Sequence, residues 1–484
     1  MARGGSEFGR GWPVVSAAAV GVGLGLSPLP FYTLGVFVGP LIAEFGWTPA
    51  QVFGFAFPIY TLGAFAMSPL IGVMSDRIGA RRIALASVIG FGLTMMAMSL
   101  NTGSLLLYGV LWALLAVFGA GTLPITFTRP VTGWFERQRG LALGIALIAT
   151  GMFGTLAKYA SQAVIDGYGW RAAYLMVGAL PILIAFPIVL LGFRDLRDTP
   201  ARDASLTRIK LAVMVPSVLG LAGLWWLVLR FLLPLAAQQG ASLPVVTGFA
   251  FLLIVSVPVL AYVFGRIGTA PPEAKRLAPG EVMPGDTLRE AATSWRFWLL
   301  AACFVLISYG VGAPIPNLEG ILGSFGFGRN EAVALAGLTG LAVLGGRLIG
   351  GYLIDRFWAP GVAFVFLASP AFALWLLAQG NLDQNAATLC IMMIGFGAGV
   401  EYDFLAYLVS RYFGLRNYSS VYGALYGFFA IGAGFGPGIL SRGVEESGWG
   451  GNLTEAAVVL FVASVPLLVL GRYRYGHDGE RVPA

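Results

Sequence analysis

The chain has 484 residues, 57% of them hydrophobic and only 11% charged. Soluble domains carry about 25% charged residues, so a soluble globular protein is excluded and a multi-span helical membrane protein remains. The net charge of +7 lies in short loops between apolar runs, which fits orientation in a bilayer rather than nucleic-acid binding. Cys303 and Cys390 sit in apolar runs without ligand spacing, and the single histidine, His477, is in the polar C-terminal tail. No metal, cofactor, histidine proton relay or enzyme chemistry is expected. The first apolar run is a full span without a small-residue cleavage site, so no cleaved signal peptide is expected.

Apolar segments long enough to span occur near 14–41, 51–74, 83–101, 104–129, 140–165 and 171–193, then 211–235 and 243–265. The remaining ones are near 296–318, 330–354, 360–379, 386–410, 417–441 and 454–472, which makes about 14 transmembrane helices. If each segment crosses once, Arg77, Arg81, Arg82, Arg137, Arg139, Arg356, Arg411, Arg416, Arg472 and Arg474 share one side. Basic loops mark the cytoplasmic side, so both termini are expected there, in a cytoplasmic (inner) membrane.

The chain repeats itself. Gly72-x-x-x-Asp76-Arg77 recurs as Gly351-x-x-x-Asp355-Arg356, at an offset of 351 − 72 = 279. Gly169-Trp170 recurs as Gly448-Trp449 at the same offset, and Phe45-Gly46 as Phe325-Gly326 at 280. The expected layout is an N-terminal tail (1–11), a six-helix bundle (12–193), a linker with two extra spans (194–290), a second six-helix bundle (291–472) and a C-terminal tail (473–484). Parallel repeats of this kind place a substrate site near midplane between the halves.

Charges inside spans are expensive and are read as functional candidates. Arg347 lies eight residues before Asp355, roughly 12 Å along a helix, near the middle of a bilayer about 30 Å thick. A guanidinium is permanently charged, and its planar fork matches a carboxylate bidentately. The competing structural reading is an ion pair with Glu401 or Asp403. Those two carboxylates lie about 200° apart on one helix, so only one is expected to line a cavity. With no histidine available they are the candidate proton-coupling groups. Lys158, eight residues before Asp166, is a second candidate anion-binding charge or an outward-reaching anchor. Tyr32, Asn317 and Tyr407 are candidate hydrogen-bonding residues for substrate, or packing residues. Arg129, before Pro130, is either a gate residue or an interfacial anchor.

Gly72-x-x-x-Asp76-Arg77-x-Gly79-x-Arg81-Arg82 resembles the loop motif between helices two and three of the major facilitator superfamily, and the copy at Gly351 is where that family repeats it. The resemblance implies an all-α fold of two six-helix bundles, here with a two-helix insertion, working by alternating access. It also implies that Gly72, Asp76, Arg77, Arg82, Asp355 and Arg356 form a cytoplasmic gate. In that reading Gly72 permits close helix approach, and Asp76 accepts bonds from a facing helix N-terminus. The competing reading of the arginines is a set of solvated orientation charges.

Trp134-Phe135-Glu-Arg137-Gln-Arg139-Gly140 and Gly169-Trp170-Arg171-Ala-Ala-Tyr174 resemble helix entries of the monocarboxylate/oxalate–formate group, and Arg347 sits where that group binds a carboxylate. The implied function is proton symport or exchange of a small organic anion such as a monocarboxylate. Unlike animal members, the chain has Val343, with no acid, four residues before the arginine, and no Lys or Asp in its first helix. A proton-driven exporter of amphipathic compounds is the first alternative, although 144–154 lacks the proline of drug antiporters. A non-transporting sensor on a carrier fold is the second. Expected partners are the small anion, protons and the lipid bilayer.

Overall fold

The computed structural model describes residues 7–195, 283–476 and 481. The segments expected at 211–235 and 243–265, most of the linker and the ends of both tails lie outside the described residues. Among the described residues the secondary structure is helical, with two isolated bridges and no strand. Ten helices there are long and apolar enough to cross a membrane, and Gly11–Gly23 and Leu29–Phe45 are shorter apolar ones.

The chain divides into two compact units. The first holds α1 (Glu7–Gly23), α2 (Leu29–Phe45), most of α3 (Pro49–Ile78), α4 (Ala80–Ala97), α5 (Leu105–Gly119), α6 (Pro124–Trp134), most of α7 (Arg139–Leu180) and α8 (Phe186–Gly192). The start of α3 is written in the sequence. Thr48 Oγ1 accepts from the Gln51 amide at 3.2 Å and Gln51 Oε1 from the Thr48 amide at 2.9 Å, a capping box with Pro49 in the first turn.

The run expected as one span over 14–41 is two helices. The chain leaves helical hydrogen bonding between α1 and α2, where Pro28 lacks an N–H. The freed Leu26 amide donates to Thr122 Oγ1 at 2.7 Å. Thr122 lies in a second interruption, a short 3-10 turn (Ala120–Thr122) between α5 and α6. The two breaks therefore satisfy each other inside an apolar interior, as buried backbone groups must.

The second unit holds α9 (Leu288–Thr293), α10 (Trp295–Gly312), α11 (Leu318–Ser324), α12 (Arg329–Ile354), α13 (Ala359–Ala378), α14 (Gln384–Tyr412) and α15 (Tyr418–Ser464). It also takes in residues 64–73 of α3 and 136–145 at the start of α7.

The duplication appears in the backbone. Kinks interrupt α7 at Gly169 (φ 82°) and α15 at Gly448 (φ 67°), at an offset of 448 − 169 = 279. Gly46 (φ 67°) and Gly326 (φ 96°) close equivalent helices at an offset of 326 − 46 = 280. Positive φ is cheap only for glycine, so these positions keep their residue in both copies.

Within the second unit, small residues let backbones touch. A methyl group on Gly144 would collide with the carbonyl oxygen of Arg347, and those on Gly140 and Gly351 with each other's backbones. The same contacts recur 279 residues along: Gly423 meets Ser68, and Gly72 meets Ser419. In this register Arg347 corresponds to Ser68 (347 − 279 = 68), so the guanidinium is an addition to one copy only.

Candidate functional site

The site grows from the packing of α12 on α14. A methyl group on Gly395 would meet the backbone of Thr339, and one on Gly399 the backbone of Val343. Both pairs differ by 56 residues (395 − 339 and 399 − 343), so the helices run parallel in fixed register. The next pair in that register, 403 − 347 = 56, is Asp403 and Arg347. Arg347 Nη1 donates to Asp403 Oδ1 at 3.2 Å, with the side chains only 2% and 1% exposed. Arg347 Nη2 donates to the Tyr402 hydroxyl, and its Cζ lies 4.7 Å from the centre of the Tyr402 ring.

Aromatic residues of α15 back this cluster. The Tyr402 ring meets Phe429 edge-on at 5.7 Å and Tyr426 at 6.5 Å, and the Tyr422 hydroxyl donates to the Tyr402 carbonyl at 3.2 Å. Tyr418, Tyr422 and Tyr426 recur every four residues on one helix face. Sequence reasoning missed Tyr402 and this ladder, although the spacing was there to be seen.

Both carboxylates of α14 are buried, and they differ in what they touch. Asp403 holds Arg347 through one oxygen, while its Oδ2 has no hydrogen-bond partner among the described residues. Glu401, 5% exposed, makes no hydrogen bond or ion pair among the described residues, and Arg347 and Asp403 are the charges that act on it. An ionised carboxylate in an apolar interior without a partner is unfavourable by several kcal/mol, and taking up a proton removes that penalty.

The other expected substrate residues are placed as follows. Asn317 donates through Nδ2 to the carbonyls of Ala313 at 2.9 Å and Pro437 at 3.4 Å, tying α15 to the break after α10. Tyr407 is buried one turn beyond Asp403, and its carbonyl accepts from Ser410 Oγ at 2.6 Å. Ser410 Oγ also accepts from Nη1 of Arg139, a fully buried arginine that sequence reasoning read as an orientation charge within a helix-entry motif and gave no site role. Lys158 and Tyr32 belong to the first unit. Lys158 is exposed, with no hydrogen bond or ion pair among the described residues. The Tyr32 ring covers Gly154, which lies four residues before Lys158 on the same helix face.

The residues expected to form a gate divide in the same way. Asp355 accepts from the amides of Gly140 at 2.7 Å and Leu141 at 2.9 Å, so a carboxylate sits on the N-terminus of α7. That role was expected of Asp76. In the first unit Asp76 pairs with Arg129, whose Nε also donates to Asp195 at 3.0 Å, all three buried. Arg129 is thus buried and ion-paired at the end of α6. Arg77, Arg82 and Arg356 are exposed, with Arg356 lying over the Tyr352 ring at 4.1 Å.

The sequence matches the profile of the Major Facilitator Superfamily over residues 20–272 and 247–437. The chain belongs to the major facilitator superfamily. It is therefore a multi-pass integral membrane protein, of a family whose members are transporters that bind small molecules and sit in the bilayer. Over 212 residues this major facilitator protein is 32% identical to monocarboxylate transporter 11 of Homo sapiens, which covers 41% of this chain and 42% of that protein. The mouse form is matched over 38% of its length, so the chain spans about two fifths of these relatives. The tetracycline resistance protein, class B, of Escherichia coli is 25% identical over 409 residues, 76% of this chain and 96% of that protein. Among solved structures, the human organic anion transporter MFSD10 superposes with a TM-score of 0.62 at 14% identity, over 96% of this chain and 100% of that one. That likeness is one of fold.

Proposed function

We propose that the chain is a secondary carrier of a small organic anion bearing a carboxylate, moved with a proton or in exchange for another anion. The observation that carries this reading is the Arg347–Asp403 pair: a permanent positive charge, buried within a span and held by a group that a proton can neutralise. A substrate carboxylate and Asp403 compete for the same guanidinium fork. Protonating Asp403 removes its charge-assisted bond and leaves the fork to the substrate, which links anion binding to proton binding. Glu401, next to the pair and without a partner of its own among the described residues, is the second proton site. The likeness to monocarboxylate transporters supports the substrate class, and Tyr402 supplies a hydroxyl beside the fork.

In this reading the protein works by alternating access between two six-helix bundles, 12–193 and 291–472, with two further spans in 194–290 and both termini cytoplasmic. Asp355 on the N-terminus of α7, with Gly351 against Gly140, latches the cytoplasmic side. Asp76, Arg129 and Gly72 serve the equivalent latch. Lys158 and Tyr32 contribute to the anion path from the first unit.

The alignment along nearly all of the tetracycline resistance protein favours a second reading, export of amphipathic compounds driven by protons. Proteoliposomes loaded in turn with labelled monocarboxylates and cationic dyes separate the two. Carboxylate transport abolished by Arg347→Gln supports the first reading; dye export indifferent to that substitution supports the second.

A further inference from the structure

At the end of the second unit where α10 begins and α14 finishes lies a cavity of about 700 Å³. Its walls are the chain entering α9, the loop after α14 and the segment after α15. They bring together Arg296, Arg416, Arg474 and Arg481 against two carboxylates, Asp286 and Glu290. We propose that this cavity seats the phosphate of an anionic phospholipid headgroup.

Both carboxylates are already engaged. Asp286 accepts from Arg474 Nη1 at 2.7 Å and from the Tyr475 hydroxyl at 2.6 Å. Glu290 accepts from the amide of Thr287 at 2.7 Å and its hydroxyl at 2.9 Å, in the box that caps α9. Glu290 also feels the charges of Arg416 and Arg474 at longer range. Arg296 donates its Nε to the Leu470 carbonyl at 3.0 Å and lies over the Trp295 ring at 4.9 Å. The guanidinium groups of Arg416 and Arg481 make no hydrogen bond or ion pair among the described residues, and the backbone of Arg481 bridges to Tyr475. Among the described residues the cavity thus has two more cations than anions, and two guanidinium groups lack a partner. A phosphate answers both, because guanidinium meets it in paired, charge-assisted bonds.

The position selects lipid over a free phosphate compound. Trp295 and Trp298, in the first turn of α10, are 51% and 56% exposed beside the cavity. Exposed tryptophan at a span terminus marks the headgroup level of a bilayer. Basic pockets at that level on the cytoplasmic side take anionic headgroups, and the orientation proposed above puts this end in that leaflet. The volume also suits a headgroup.

The test uses the purified full chain in detergent, with thermal unfolding and native mass spectrometry read on addition of phosphatidylglycerol, phosphatidylcholine or millimolar inorganic phosphate. Phosphatidylglycerol is expected to raise the unfolding midpoint and to be retained, and phosphatidylcholine is not. Arg416→Gln with Arg481→Gln is expected to remove at least half of that rise. Arg82→Gln with Arg137→Gln, the same charge loss outside the cavity, is expected to leave it intact. An equal rise with inorganic phosphate alone would overturn the assignment to lipid in favour of a soluble phosphate compound. A phosphatidylglycerol response unchanged in the Arg416/Arg481 variant, or lost equally in both double variants, would overturn the site itself.

Discussion

Arg347 and Asp403 form a buried ion pair across two parallel helices, at 3.2 Å and with neither side chain more than 2% exposed. Such a pair contributes little net stability, yet removing one partner is strongly destabilising because it leaves an uncompensated charge. Asp403→Asn is therefore expected to destabilise the protein by about 3–5 kcal/mol. A small carboxylate that replaces the missing charge is expected to restore much of the lost unfolding midpoint. Thermal unfolding of wild type and variant, with and without a panel of monocarboxylates, checks this. No recovery with any anion would argue against a binding role for Arg347.

Glu401 is expected to behave differently in the same assay. Among the described residues it has no partner to orphan, so Glu401→Gln is expected to destabilise less than Asp403→Asn. If it carries a proton, that substitution flattens the pH dependence of uptake while counterflow exchange at constant pH persists. Uptake across a pH series in proteoliposomes measures this directly.

Helix contact at Gly351 and Gly144 admits no side chain. Gly351→Val is expected to abolish transport and lower stability, since the new methyl groups would meet the backbone of Gly140. Asp355→Ala removes the acceptor for two amides at the start of α7 and is expected to cost about 1 kcal/mol, as for a lost helix cap. Hydrogen exchange of the Gly140 and Leu141 amides is expected to speed up in Asp355→Ala, because their shared acceptor is gone.

Outside the membrane, Tyr475 gives a pH-dependent prediction. Burial, with its bond to Asp286, pushes its hydroxyl up to about 12. The folded state thus holds that proton more tightly than the unfolded chain, whose tyrosine titrates near 10. The stability it contributes is complete below about pH 10 and is lost as pH rises through about 12. The gap in unfolding midpoint between wild type and Tyr475→Phe is expected to shrink over that window.

Much of the architecture was legible because its signals are local. Gly46, Gly169, Gly326 and Gly448 stand at turns that require positive φ, so their spacing exposes the duplication. Arg347, Glu401 and Asp403 stood out because a charge inside an apolar run is rare. An ion pair of Arg347 with one of the two carboxylates was foreseen as the competing structural reading. The choice of Asp403 was not accessible, because the 56-residue register of α12 against α14 is set by Gly395 and Gly399 meeting backbone. Nothing local distinguishes those glycines from the many others. The break between α1 and α2 was hidden for a related reason. Its residues are apolar, and its polar satisfaction comes from Thr122, almost a hundred residues away. The pairing of Asp76 with Arg129 was hidden in the same way, because Arg129 reaches it from the end of a different span.

Equilibrium binding of monocarboxylates to wild type and Arg347→Lys tests the central claim most directly, because lysine keeps the charge and loses the fork. Wild type is expected to bind at least one small carboxylate more tightly as pH falls, with Arg347→Lys at least tenfold weaker. Equal affinity in the two proteins, or tight binding of cationic amphipathic compounds alone, would contradict the account.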